Sequence, residues 1–173
     1  MSTLTIKNFG PIKNFHAPIA RLNVLIGPQA SGKSTVAKLL YYLKMFPIWL
    51  ATYTATPGID RDHFWQFQRT LRTKFLNLFG PVYHQNDISI CYSFHNNASG
   101  ITHTIKIVQS KSNNFKNYIS IKFDDALKEE IEKFFTALEH AQHTEVKGVV
   151  DSRTVRFFHK DVTQKQFMEM AND

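Results

Sequence analysis

The sequence predicts an α/β fold organised around a glycine-rich loop between a strand and a helix. Three observations carry that expectation. Leu22-Asn-Val-Leu-Ile26 is nearly continuous apolar sequence, as in a strand buried on both faces of a parallel sheet. Gly27 to Gly32 follows as a loop, and beyond it Val36, Leu39, Leu40 and Leu43 recur at helical spacing. Three later segments alternate apolar and polar residues with a period of two, as half-buried antiparallel strands do.

The elements follow in order. Leu4-Thr-Ile-Lys-Asn-Phe9 alternates and reads as a strand, and Gly10-Pro11 breaks it. Asn14 to Ile19 forms a short return strand, making an N-terminal hairpin. Next come the Leu22–Ile26 strand, the loop, and a helix from Lys33 to about Phe46 that Pro47 ends or kinks. Residues 52–59 read as a Thr, Pro and Gly linker. Asp60 caps a helix with the stripe Phe64, Phe67, Leu71, Phe75 and Leu78, stopped by Gly80-Pro81. Ile88 to Phe94, Ile101 to Val108 and Tyr118 to Phe123 form an antiparallel meander with one wet face, turned first at Asn96 to Gly100. Asp124 caps a last helix carrying Leu127, Ile131, Phe134, Phe135 and Leu138. The pattern fades after Ala141, so residues 1–141 read as one lobe and 142–173 as a segment with no assigned order. The expected sheet is mixed: hairpin, loop strand and meander.

Composition sets the bounds. A chain of 173 residues fits one domain or one lobe of a larger one. Its 43% hydrophobic content, with 15 Phe, suffices for a core and argues against wholesale disorder. No apolar run approaches the roughly 20 residues that cross a bilayer, so no membrane partner is expected. Lys7 and Asn8 interrupt any signal-peptide core. The single Cys91 excludes an internal disulfide framework, and the expected setting is the reducing cytoplasm. The net charge of +7 fits an anionic partner, although it is spread along the chain as on solvated faces.

Gly27-Pro-Gln-Ala-Ser-Gly-Lys-Ser34 satisfies G-x-x-x-x-G-K-[ST], the phosphate-binding P-loop, between the strand and the helix that motif requires. Its spacing has a physical reason. The loop wraps a phosphate with backbone N–H groups, and Gly27 and Gly32 remove side chains where the backbone comes close. The helix opening at Gly32 aims its free N–H groups and positive dipole end at the same anion. Lys33 adds a point charge for the β and γ phosphates. Ser34 offers a hydroxyl to Mg²⁺.

The stretch Leu4 to Lys13, then Leu22-Asn-Val-Leu-Ile-Gly-Pro-Gln-Ala-Ser-Gly-Lys-Ser-Thr35, resembles the opening of ABC-type ATPases of the SMC/RecF kind, including bacterial AAA family ATPases with an ABC-like head. The likeness covers residues 4 to about 43. It implies that Gly27, Pro28, Gln29, Ala30, Ser31, Gly32 and Lys33 bind the phosphates of ATP. Ser34 would bind Mg²⁺, Thr35 would contact the α-phosphate, and the loop near Lys13 and Asn14 would lie beside the nucleotide. Gln29 stands where Asn is usual and Ala30 where Gly is usual. Ala30 makes any positive φ there costlier.

The same resemblance calls for a Walker B strand ending in Asp-Glu, an L-S-G-G signature and a switch His, and none is found. Tyr118 to Asp125 is interrupted by Ser120 and Lys122, and Gly148-Val-Val-Asp151 has only two apolar residues. Ala98-Ser-Gly100 is a turn. Gln85 or Gln109 is a candidate for the glutamine that senses Mg²⁺ and the γ-phosphate; each also reads as an ordinary loop residue. The chain therefore reads as a first lobe, its Phe-rich helices partly uncovered. It would hydrolyse ATP only when a second lobe or a homodimeric partner head completes the site. DNA is a further expected partner, through the basic helix face Arg61, Arg69, Arg72 and Lys74, which also reads as a solvated face.

Other constellations carry less. His140 and His143 are spaced i, i+3 near a helix end with no carboxylate to complete a metal site, and Cys91 has no activating base. Two other functions stay open. A small P-loop metabolite kinase has a suitable length but lacks repeated βα units and an Arg-bearing lid. A truncated, non-catalytic lobe would bind nucleotide without turnover.

Overall fold

A computed structural model describes residues 2–54, 63–82, 85–96, 100–112 and 115–145. Strand β1 (Ser2–Phe9) and strand β2 (Ile12–Ile19) form the expected hairpin. Asn8 and Gly10, at φ 52° and 56°, turn the chain between them. Helix α1 spans Lys33–Lys44 and α2 spans Phe46–Thr54. Pro47 explains that division: it cannot continue α1, yet its fixed φ suits the first turn of α2. Helix α3 covers His63–Phe79. Strands β3 (Ser89–Asn96), β4 (Ile101–Ser112) and β5 (Phe115–Phe123) build the meander, and α4 (Asp125–Glu145) follows. Asp124 Oδ1 accepts from Leu127 N at 2.8 Å and so caps α4 as its position predicts. The helix continues past Ala141, where the apolar pattern fades.

All strands join one antiparallel sheet in the order β2-β1-β3-β4-β5. Helices cover one face. The inward residues of alternation, Leu4, Ile6, Ile90, Ile105, Ile107 and Ile119, are buried against them. Helix α3 is the keel of this layer: Phe67, Leu71 and Phe75, at i, i+4 and i+8, are buried. Phe75 meets Phe9 and Tyr42 at ring-centroid distances of 5.6 and 5.4 Å, and Phe67 meets Phe46 at 5.8 Å and Phe135 at 6.2 Å. Each such ring contributes roughly 1.5–3 kcal/mol by burial. His103 breaks the apolar inner row of β4. It is fully buried, with Nδ1 3.7 Å from Asp124 Oδ1 and Nε2 3.2 Å from Glu130 Oε2.

Two expectations change. Leu22–Ile26 is not a strand and lies outside the sheet, and Leu22, Val24 and Ile26 are 80%, 72% and 90% exposed. A strand buried on both faces needs neighbouring strands and covering layers, and the described residues supply none there. Uncovered apolar surface lies on this segment and, as expected, in part on the Phe-rich helices: Trp65 of α3 is 58% exposed and Phe64, Phe79 and Phe134 are half-buried, while Phe67, Phe75 and Phe135 are buried. The 52–59 linker also shortens, because Thr52 to Thr54 complete α2; residues 55–62 lie outside the described residues.

Candidate nucleotide-binding site

The site begins at the start of α1. Gly32 is its N-cap, with φ 95° and ψ 7°, and no side chain caps the first-turn amides. No acidic residue occupies that turn. The N–H groups and the positive end of the helix are therefore left for an anion. Ala30 also adopts a left-handed conformation, φ 60°, at a cost on the order of 1 kcal/mol or more. Left-handed residues among right-handed ones turn successive N–H groups towards one concave side, which is how a backbone cradles phosphate.

Lys33 folds back over this loop. Its Nζ donates to Gly27 O at 2.7 Å, Pro28 O at 2.5 Å and Ser31 Oγ at 3.4 Å. One ammonium thus ties Gly27, Pro28 and Ser31 together, in position to exchange carbonyl oxygens for phosphate oxygens. Gln29 and Ala30 are exposed, as is the Ser34 hydroxyl group's residue, while Thr35 is half-buried on the same turn.

The β1–β2 turn packs directly on the loop. A Cβ built on Gly32 would lie 2.6 Å from Ile12 Cγ1 and 3.3 Å from Pro11 Cγ, so only glycine fits. A Cβ on Gly10 would lie 3.7 Å from Thr35 Oγ1. The hairpin residues touching the loop are thus Gly10, Pro11 and Ile12, whereas Lys13 and Asn14 are exposed on β2. The β1–β2 register decides this, and the sequence offered only the Gly10-Pro11 break as a signal.

A cavity of about 210 Å³ adjoins the helix start, lined in part by Gly10, Ser34, Thr35, Lys38, Phe79 and Gln85. Gln85 Oε1 accepts from Gly10 N at 2.8 Å. Gln109 Nε2 donates to Gln85 O at 2.6 Å, so Gln109 supports the segment that carries Gln85. Of the two candidate glutamines, Gln85 is the one beside Ser34. Lys38, one helical turn beyond Ser34, was not singled out by the sequence.

The other singled-out residues lie elsewhere. Asp124 is committed to capping α4 and to Thr104 N, and β5 is the sheet edge opposite β2. Gly148 to Asp151 and Arg61 lie outside the described residues. Arg69, Arg72 and Lys74 sit over the rings of Trp65, Tyr118 and Trp49 at 5.7, 3.7 and 5.3 Å. Cys91 is a half-buried thiol on β3. Among the described residues no cluster of three His, Cys, Asp or Glu is poised for a metal, and no helix is long and apolar enough to cross a membrane.

Loop, lysine and uncapped helix together define the P-loop class of nucleotide-binding folds. Within that class, the chain belongs to the AAA ATPase domain family, whose family model matches residues 1–172. No curated protein and no solved structure matches the chain. Membership makes it a nucleotide-binding ATPase domain, with ATP as its ligand.

Proposed function

We propose that the chain is the nucleotide-binding lobe of an SMC/RecF-like, ABC-type head acting in the cytoplasm. Residues 27–33 hold the ATP phosphates, Thr35 touches the α-phosphate, and Ser34 supplies a hydroxyl to Mg²⁺. The donor chemistry fits that ion, because an exposed serine oxygen stands beside an acid-free, uncapped helix start. Bound Mg²⁺ would neutralise charge developing on the transferred phosphoryl group. Gln85, which lines the cavity beside Ser34, would sense the occupied site in this reading.

Hydrolysis in this reading waits for a second lobe or partner head. The observation that carries it is the exposed run Leu22, Val24, Ile26, leading straight into the loop. Side chains of that kind at the entrance to a P-loop need apolar neighbours. A covering lobe would bring those neighbours together with the carboxylates that hold Mg²⁺ and orient water. In this reading residues 1–141 are the lobe and residues 142–173 a separate C-terminal segment.

The test is calorimetric ATP binding together with phosphate release. Binding without turnover by the chain alone, and turnover on adding DNA and a separately encoded second half, supports the reading. Robust turnover by the chain alone overturns it. Phosphorylation of an added metabolite would identify a kinase instead.

A further inference from the structure

We infer that Lys38 is a second phosphate-binding cation of the nucleotide site, one that lets the lobe hold ATP before a divalent metal joins it. The inference rests on the nucleotide reading above and adds to it a residue and an order of binding.

Lys38 stands four residues after Ser34 on α1, so the two share one helix face with Cβ atoms about 5–6 Å apart. Helical side chains lean towards the N-terminus of their own helix. The Lys38 side chain is therefore directed back over the Ser34 turn, towards the phosphate loop. Both residues are exposed, and both line the cavity beside the helix start. The described residues lining that cavity carry one formal charge, that of Lys38, and no carboxylate.

The two lysines are differently engaged. The Lys33 ammonium is held by Gly27 O, Pro28 O and Ser31 Oγ. No carboxylate among the described residues pairs with Lys38. Two cations thus stand on the first two turns of a helix whose start is already positive and whose first turn holds no acid. That arrangement is unfavourable by itself, and an anion seated at the loop relieves it. The walls strengthen the effect. Thr35 abuts Gly10, and Gln85 Oε1 accepts from Gly10 N at 2.8 Å, which fixes the polar side of the cavity. Phe9 and Phe79, with ring centroids 5.0 Å apart, form an apolar side. Apolar walls lower the local dielectric, so an ammonium there attracts phosphate more strongly than in open water.

Ser34 brings a single neutral oxygen to a metal, and a metal needs several ligands. Lys38 brings a full charge that needs no further ligand. The polyphosphate therefore loads first, on Lys33, Lys38 and the helix start. The metal follows, with the carboxylates that the completing lobe supplies in the reading above. Lys38 is in this sense a positioning cation for the phosphates of the unassembled lobe.

The test is titration calorimetry of ATP into the full chain at low salt, once with excess Mg²⁺ and once with EDTA. The wild type should bind in EDTA within about tenfold of its affinity with Mg²⁺, the worth of about one charge-assisted hydrogen bond. Lys38→Gln should lose about tenfold or more in EDTA but less than about threefold with Mg²⁺, where the metal covers the same charge. Lys38→Arg should retain the wild-type affinity in EDTA. Lys38 is exposed, so all three proteins should melt together. A merely structural lysine would not make the loss depend on the metal. The inference is overturned if EDTA abolishes wild-type binding that Mg²⁺ supports, or if Lys38→Gln binds as well as wild type in EDTA. It is also overturned if Lys38→Gln loses equally under both conditions. In each of those outcomes the wild type still takes up ATP with Mg²⁺, and the nucleotide reading stands. A wild type that takes up ATP under neither condition overturns that reading, and the inference with it.

Discussion

Replacing Gly32 by alanine perturbs the junction between hairpin and loop at one atom. The added Cβ would sit 2.6 Å from Ile12 Cγ1, 3.2 Å from Ile12 Cδ1 and 3.3 Å from Pro11 Cγ. Ile12 is itself buried, so it cannot swing clear without opening the core. Forced overpacking of this kind costs about 1–3 kcal/mol. The backbone, at φ 95°, adds roughly 1–3 kcal/mol for any residue with a side chain. Together these give about 2–6 kcal/mol, a large part of the 5–15 kcal/mol typical of a folded domain. At roughly 2–4 °C per kcal/mol for a chain of this size, the midpoint should fall by the order of 10 °C. Circular dichroism melts read it directly. Gly80→Ala is the control: its φ is 75° with nothing within 4 Å, so it bears the backbone cost without the clash. Ile12→Ala in the Gly32→Ala background should recover part of the loss, because the two sites share one contact. If Gly32→Ala melts no lower than Gly80→Ala, the packing of the hairpin on the loop is wrong.

Tyr42→Phe should cost about 0.5–1.5 kcal/mol by removing the 2.8 Å hydrogen bond to Leu71 O. Burial raises the Tyr42 phenol well above its usual value, so the folded state favours the protonated form. That contribution is complete below the unfolded value near pH 10 and is lost as pH rises above it. Denaturant melts from pH 8 upwards should therefore show a steeper alkaline decline for wild type than for Tyr42→Phe, and parallel curves would contradict this. Val24→Ser and Ile26→Ser should leave the melting midpoint within about 0.5 kcal/mol of wild type, since these side chains are already in water. Size-exclusion chromatography should show less self-association for them, and marked destabilisation would mean that the segment is packed. Phosphate release by the chain alone should stay at background.

Local patterns that burial enforces were legible in the sequence. The alternation of Leu4 and Ile6, or Ile105 and Ile107, reports which face meets the helices, and the stripe Phe67, Leu71, Phe75 reports the keel. The loop was legible because Gly27, Gly32 and Lys33 stand at P-loop spacing, and Gly32 does open α1 with Lys33 folded back over the loop. Leu22–Ile26 misled because an apolar run reports hydrophobicity and not whether strands flank it, and among the described residues none does. Gly10, Ile12 and Gln85 gather at the loop through a hairpin register and a segment 75 residues away from Gly10, which no local pattern encodes. His103 was invisible for another reason: alternation gives the inward positions of a strand, not whether a polar residue there finds Asp124 and Glu130.

The most direct test is titration calorimetry of ATP with Mg²⁺ into the wild type and Lys33→Ala. Lys33 bonds only to exposed loop atoms, so its loss should leave the melting curve nearly unchanged while abolishing the binding heat. A folded Lys33→Ala protein that retains wild-type affinity, or a wild type that takes up no ATP, would contradict a nucleotide site between residues 27 and 35.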